Sequence, residues 1–286
     1  MRYTPFMKVI CDRSALLEAV NTVGSVVPTR SPSPALSCVK INASKAGAVG
    51  SLALSGTDAE VSIQLALTKV DVVQPGIAVV SADRLRAIVS AIDESDATIT
   101  LELDGDVCHI RGARSRFRLF AFPAGDFPPI PEWSQATSGT TPPRAVFHHS
   151  AGGLMKLVMR TSFATARETS RYAINGVLLR RDGKKLEMVA TDGRRLALCR
   201  QTIAEKDGGS VSCIVPSKAL SLLLKLIDEP DAPVQIAITD NQILFKLGDG
   251  KEGGTLAVLA SNLVEGTFPP YEDVIPKDQD KRISMD

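Results

Sequence analysis

Two stretches decide how this chain folds: SADRLRAIVSAIDESDATITLEL, residues 81–103, and PSKALSLLLKLIDEPDAPVQIAI, residues 216–238. They lie 135 residues apart and share one plan. Each has an apolar stripe at helical spacing, then an acidic loop (DESD, DEPD), then an alternating strand pattern. Two further landmarks recur in the same order. Thr57-Asp58 returns as Thr191-Asp192, 134 residues on, and the FPP of Phe127-Pro128-Pro129 returns as Phe268-Pro269-Pro270, 141 residues on. A long-period repeat of this kind means two copies of one folding unit.

Outward from the repeat, helices are expected over 14–27 (stripe Leu16, Leu17, Val20, Val23), 81–92 (Leu85, Ile88, Val89, Ile92), 150–163 (Leu154, Leu157, Val158) and 216–227 (Leu220, Leu223, Leu224, Ile227). Ser81 suits an N-cap and Pro216 a first helical turn. Segments such as ATITLEL, VCHIRG, RFRLFAF and VQIAI alternate and read as antiparallel strands, about eight per copy. The expected fold is α+β, two helices per copy on antiparallel sheets. Residues 131–144, PEWSQATSGTTPPR, read as a linker without helix or central strand. The unit boundaries are 7–130, the linker 131–144, 145–268, and 269–286. KRISMD (281–286) resembles MKVICD (7–12) and reads as the first strand of a third copy, cut at Asp286. Met7 is as good a start as Met1.

Composition narrows function. With 286 residues and 44% hydrophobic side chains, two cored domains fit and disorder does not. Aromatics are 5%, with one tryptophan, Trp133, so base stacking does not dominate. The net charge is +1, which excludes a globally basic nucleic-acid binder. Residues 141–200 nevertheless hold twelve Lys and Arg against four Asp and Glu, a net +8, the pattern of a local polyanion contact. Five cysteines without a C-x-x-C pair argue for a reducing compartment, here the cytoplasm, and against a zinc site. No apolar run reaches the ~20 residues of a membrane span.

Catalytic constellations are missing from the pattern. Gly248 to Gly253 fits G-x-G-x-x-G, yet a strand follows, TLAVLAS, where a dinucleotide site needs a helix N-terminus. His148 and His149 are adjacent on a strand and point to opposite faces, so they cannot share a metal. Thr57-Asp58 and Thr191-Asp192 read as turns that cap their own backbone, and RRDGKK (180–185) as a hairpin turn. Neither metal nor cofactor is expected, and the chain is not expected to be an enzyme.

Several motifs together resemble a known family. TSFATARETSRYAINGV (161–177), VATDGRRLA (189–197), IVPSKA (214–219) and EGTFPPYEDVIP (265–276) are similar to the second domain of the bacterial DNA polymerase sliding clamp, the beta subunit of the replicative polymerase; LSGTDAE (54–60) and RSRFRL (114–119) resemble its first. The resemblance implies tandem clamp domains, sheets outside and helices lining a DNA channel, and a non-enzymatic ring that encircles duplex DNA. It implies polymerase, clamp loader and repair proteins as partners, docked through short linear peptides. It implies DNA contacts at Arg30, Arg84, Arg167, Arg171, Tyr172 and Lys218. It implies a peptide pocket from Ile174, Thr191, Gly193, Arg194, Arg195, Leu196, Pro269, Tyr271 and Val274. The family's third domain, which completes the pocket and the homodimer ring, is represented only by 269–286, so the sequence reads as a fragment of a longer clamp. The alternative is a non-ring adaptor that binds clamp-motif peptides without encircling DNA.

Overall fold

A computed structural model describes residues 6–47, 49–166, 172–203, 209–249 and 255–276. The first repeat runs β1 (Phe6–Asp12), α1 (Arg13–Gly24), β2 (Cys38–Ala46), β3 (Val49–Thr57), β4 (Val61–Leu67), β5 (Val70–Gln74), β6 (Gly76–Ser81), α2 (Ala82–Ala91), β7 (Thr98–Asp104), β8 (Val107–Arg111) and β9 (Arg116–Phe122). A short helix, α3 (Trp133–Ser138), follows. The second repeat runs β10 (Ala145–Ser150), α4 (Ala151–Met159), β11 (Gly176–Asp182), β12 (Lys185–Thr191), β13 (Leu196–Thr202), β14 (Val211–Pro216), α5 (Ser217–Leu226), β15 (Pro233–Ile238), β16 (Gln242–Leu247) and β17 (Leu256–Asn262).

All strand pairs are antiparallel. One sheet of thirteen strands has the order β10-β15-β16-β17-β4-β3-β2-β6-β9-β8-β7-β1-β5, and a second has β13-β12-β11-β14. The long sheet crosses from one repeat into the other where β17 pairs with β4, from Leu256 opposite Ala66 to Ser261 opposite Val61. A single apolar cluster extends through both repeats. The four repeat helices bury the expected stripes: Leu16, Val20 and Val23; Leu85, Val89 and Ile92; Leu154, Leu157 and Val158; Leu220, Leu223 and Ile227.

Helix ends explain their lengths. Asp12 caps α1, its carboxylate accepting from Ala15 N at 2.8 Å. Ser150 caps α4 by accepting from Gly153 N at 3.2 Å. Arg13 is buried, and its Nε and Nη2 donate to Ile92 O at 3.1 and 2.8 Å. A carbonyl left open at the end of α2 is thereby satisfied from the start of α1.

The structure corrects four expectations. Ser81 stands at the start of α2 but its side chain makes no capping bond; β6 runs directly into the helix, and Ser81 keeps extended backbone. Pro216 ends β14 instead of entering the first turn of α5, because its fixed φ near −57° serves the strand end equally well. Among the described residues the first repeat has nine strands, one more than about eight, with β5 at the outer edge of the long sheet. Residues 131–144 do contain a helix, α3. Its Trp133 and Ala136, three apart and so on one side, cover the outward face of Ala237, Leu244, Val258 and Ala260. Lys246 lies over the Trp133 ring at 5.8 Å. Partial burial of one large aromatic against the sheet offsets the weak helix propensity of WSQATS. The KRISMD reading falls on residues outside the described ones.

Candidate functional site

β12 and β13 form a hairpin in which Thr191 stands opposite Leu196. Thr191 Oγ1 donates to Arg195 O at 2.8 Å and accepts from Gly193 N at 3.1 Å. Asp192 accepts from the backbone N–H of Arg194 and Arg195, both at 3.0 Å. Gly193 has φ +84°, the left-handed region that the tight turn requires. The Thr-Asp turn therefore caps its own backbone, as its sequence suggests. Arg195 also donates to Asp192 at 3.0 Å and to Phe163 O at 2.8 Å, with its guanidinium 5.5 Å from the Phe163 ring centre.

Alternation puts Leu186, Met188 and Ala190 of β12 into the core and Glu187, Val189 and Thr191 on the other face. Register then lines up Leu178, Val189 and Leu198, with Leu196 beside Thr191 at the hairpin end. One strip of the outer sheet is thus apolar. The chain returns to this face after β17. Val264 N donates to Ile214 O at 2.9 Å, and Ala173 N donates to Thr267 O at 3.2 Å, which brings the loop holding Ile174 to the segment holding Pro269 and Tyr271.

Tyr271 is buried and anchors that segment. Its hydroxyl donates to Glu187 at 2.6 Å, and Phe268 meets its ring edge-on at 6.2 Å. Glu187 also accepts from Arg200 Nε at 2.9 Å, and Arg180 reaches Glu272 at 2.7 Å. Burial alone would raise the Glu187 carboxyl; the bonds from Tyr271 and Arg200 and the charges of Arg200 and Arg180 outweigh it and hold it below its ordinary value of 4.5. Burial, then the bond to Glu187, pushes the Tyr271 phenol up to about 12. A carboxyl with a depressed folded value stabilises above the unfolded value and loses that stabilisation as pH falls through the folded one. Glu187→Gln should therefore cost about 1.5–3 kcal/mol in urea unfolding at neutral pH, and the gap to the parent should narrow progressively as pH falls below about 4.3, the value of the unfolded carboxyl. A gap that persists undiminished in acid would show that the charge of Glu187 is not what holds Tyr271.

The residues assigned from sequence fall into two groups. Thr191, Gly193, Arg194, Arg195 and Leu196 are gathered by the hairpin, and Ile174, Pro269 and Tyr271 are tied to the same face of the second repeat. Val274 is 70% exposed, beyond the Tyr271 anchor. Pro269 and Tyr271 also border a groove of about 1110 Å³, lined by Leu178 and Ile214 among others, which the hairpin residues do not line. Of the cationic and aromatic set, Arg30 is exposed in the loop after α1, Arg84 is exposed in the first turn of α2, and Tyr172 is 42% exposed. Lys218, in the first turn of α5, is ion-paired with Asp58. Arg167 and Arg171 lie outside the described residues.

Several arginines of residues 141–200 are taken up by contacts among the described residues. Arg181 is buried over the Phe147 ring, Arg180 and Arg200 serve Glu272 and Glu187 on the outer sheet, and Arg195 serves Asp192. Sequence reasoning missed Glu187, Phe163 and the reach of Asp58 to Lys218, because strand register and packing bring their partners to them. Among the described residues, no group of three His, Cys, Asp or Glu could hold a metal ion, and no helix is long and apolar enough to cross a membrane. β17 pairs antiparallel with β16, so a strand follows Gly248-Asp249; residues 250–254 lie outside the described ones.

Residues 7–131 match the family described as DNA polymerase III beta subunit, N-terminal domain, and residues 150–270 match its central domain. The chain is 32% identical over 277 residues to the beta sliding clamp of Escherichia coli K12, covering 97% of this chain and 70% of that protein. Its fold superposes on the Pseudomonas aeruginosa DNA polymerase III subunit beta bound to griselimycin with TM-score 0.83 and 33% identity, over 96% of this chain and 69% of that one. The DNA polymerase sliding clamp of Bacillus subtilis gives TM-score 0.83 at 27% identity, over 95% and 68%.

Proposed function

The chain belongs to the DNA polymerase III beta subunit family, and from that premise we propose that it encircles duplex DNA as the sliding clamp of a bacterial replicative polymerase. It is a cytoplasmic tether without catalytic activity. It meets DNA without reading sequence, through Arg30, Arg84, Arg167, Arg171 and Tyr172, with Lys218 beside them paired to Asp58. It holds polymerase, clamp loader and repair proteins by short peptides seated against Ile174, Thr191, Gly193, Arg194, Arg195, Leu196, Pro269, Tyr271 and Val274. Clamp domains span 7–130 and 145–268 about the linker 131–144, residues 269–286 are the connector and first strand of a third clamp domain, and where that domain is present the ring is a homodimer.

The observation that carries this reading is the seam between repeats. Pairing of β17 with β4 turns two copies of one fold into a single antiparallel sheet, the construction a rigid arc needs. Charge is consistent with the task. Non-specific phosphate contacts hold DNA at only about 10⁻⁴–10⁻⁶ M at physiological salt, and a tether that slides cannot grip harder. Retention must then be topological, and a net charge of +1 suffices.

The test is retention on a closed path. The protein bearing this chain, loaded onto nicked circular plasmid by its clamp loader, should stay with the circle through gel filtration and leave once the plasmid is linearised. Equal loss from both forms would overturn the ring and leave peptide binding alone, the behaviour of an adaptor.

A further inference from the structure

The Thr-Asp turn of the first repeat differs from its counterpart in one chemical respect. In both, the first carboxylate oxygen accepts two backbone N–H groups: Glu60 N at 2.9 Å and Val61 N at 2.7 Å for Asp58, Arg194 N and Arg195 N at 3.0 Å for Asp192. In the second repeat the other oxygen is met locally by Arg195 Nε. In the first repeat no arginine follows the turn. Its second oxygen points across the seam and pairs with Lys218 Nζ of α5.

Both the carboxylate and the ammonium have reasons to hold this pair. Lys218 sits in the first turn of α5, where the helix dipole disfavours a cation. A carboxylate fixed by two backbone bonds offsets that without a further entropy loss of its own. Asp58 is 13% exposed at its side chain against 52% for Lys218, so the anion is held and the cation stands at the surface. Burial would raise the Asp58 carboxyl, but the Lys218 and backbone bonds outweigh it and keep it below its ordinary value of 3.8, hence ionised. The turn is also held against strain: Ala59 has φ +80°, where the second repeat uses Gly193. Asn262 N donates to Glu60 O at 2.9 Å, which ties the same turn to β17.

We propose that Asp58 is a positioning residue for Lys218: a built-in stand-in for phosphate that holds the ammonium at the seam and withholds one full contact from the DNA. The assignment rests on the clamp reading above and adds to it a device that weakens grip in favour of sliding. A phosphate approaching Lys218 has to displace a carboxylate that cannot turn away.

Asp58→Asn keeps the oxygen that accepts the two backbone N–H groups and removes the charge, so the turn is retained. Binding of the full chain to a fluorescein-labelled mixed-sequence duplex is followed by anisotropy across a salt series. Each phosphate contact contributes about 0.9 to the slope of log K against log salt. Asp58→Asn should steepen the slope by about 0.9, equivalent to roughly eightfold tighter binding for each tenfold fall in salt. Lys218→Gln should change the parent slope by less than half of that, and should cancel the gain in the Asp58→Asn background. A merely structural Asp58 would shift unfolding midpoints without moving the slope. If Lys218→Gln alone lowers the parent slope by about 0.9 and Asp58→Asn changes nothing, the assignment is overturned while the clamp reading stands. Absence of duplex binding by every variant at low salt overturns the assignment and leaves the clamp reading to the plasmid retention test. Independently of DNA, urea midpoints of the two single variants and the double variant should be non-additive; additivity removes the ion pair and the proposal with it.

Discussion

Phe147→Ala is expected to lower the unfolding free energy by about 3–5 kcal/mol in urea titrations. Phe147 lies on β10 opposite Ile236 of β15 and has no exposed surface. Two effects add. Removing the ring opens a cavity in a close-packed core. It also strips the face from the Arg181 guanidinium, which sits 4.7 Å from the ring centre and is itself only 2% exposed. Arg181 Nε donates to Gly183 O at 3.2 Å in the hairpin turn, so the side chain cannot swing out without breaking that turn. A nearly buried cation that loses one of its contacts is costly. Phe147→Leu, which refills most of the volume, separates the two effects: a loss above half that of Ala assigns the larger share to Arg181. A loss below about 1.5 kcal/mol for Phe147→Ala would mean that the core collapses around the gap.

Leu196→Asp is expected to weaken binding of a short Gln/Leu/Phe-type clamp peptide by at least ~30-fold, about 2 kcal/mol, in a fluorescence titration. Leu196 opens β13 at the end of the apolar strip formed by Leu178, Val189 and Leu198, half-buried and opposite Thr191. An apolar anchor of the peptide placed against a carboxylate would leave that charge desolvated and unpaired. The hairpin itself should persist, since Thr191 Oγ1 bonds the Arg195 carbonyl and Asp192 bonds the Arg194 and Arg195 amides, none of which involves the Leu196 side chain. An unchanged Kd in a folded variant would remove Leu196 from the docking surface.

Periodicity and repetition made the helices and the order of elements legible, because a 3.6-residue stripe and a 135-residue recurrence are both local to the chain. Helix stripes such as Leu154, Leu157 and Val158 are buried as read. The features that were not legible depend on register. Glu187 reads as one charge in LEMVA, and nothing nearby in sequence says that Arg180, Arg200 and Tyr271 converge on it; β11, β13 and the returning segment do that. The partners of several arginines in 141–200 are hidden for the same reason, since strand pairing and packing supply them. α3 was hidden by a Pro/Ser/Thr-rich context, where one tryptophan decides the structure. For the proposed site, spacing explains the turn at Thr191–Leu196, while the roles of Pro269, Tyr271 and Val274 rest on resemblance to a family.

The seam between β17 and β4 also has a meaning for solubility. A strand edge is a row of open donors and acceptors that invites another strand, and proteins usually shield it with charge, proline or a covering element. β4 is VSIQLAL and β17 is LAVLASN, without a formal charge or a proline between them. Neither could stand exposed without becoming a template for association. Each repeat is therefore the other's edge cover, and separating them at residues 131–144 would release two adhesive borders rather than two independent modules.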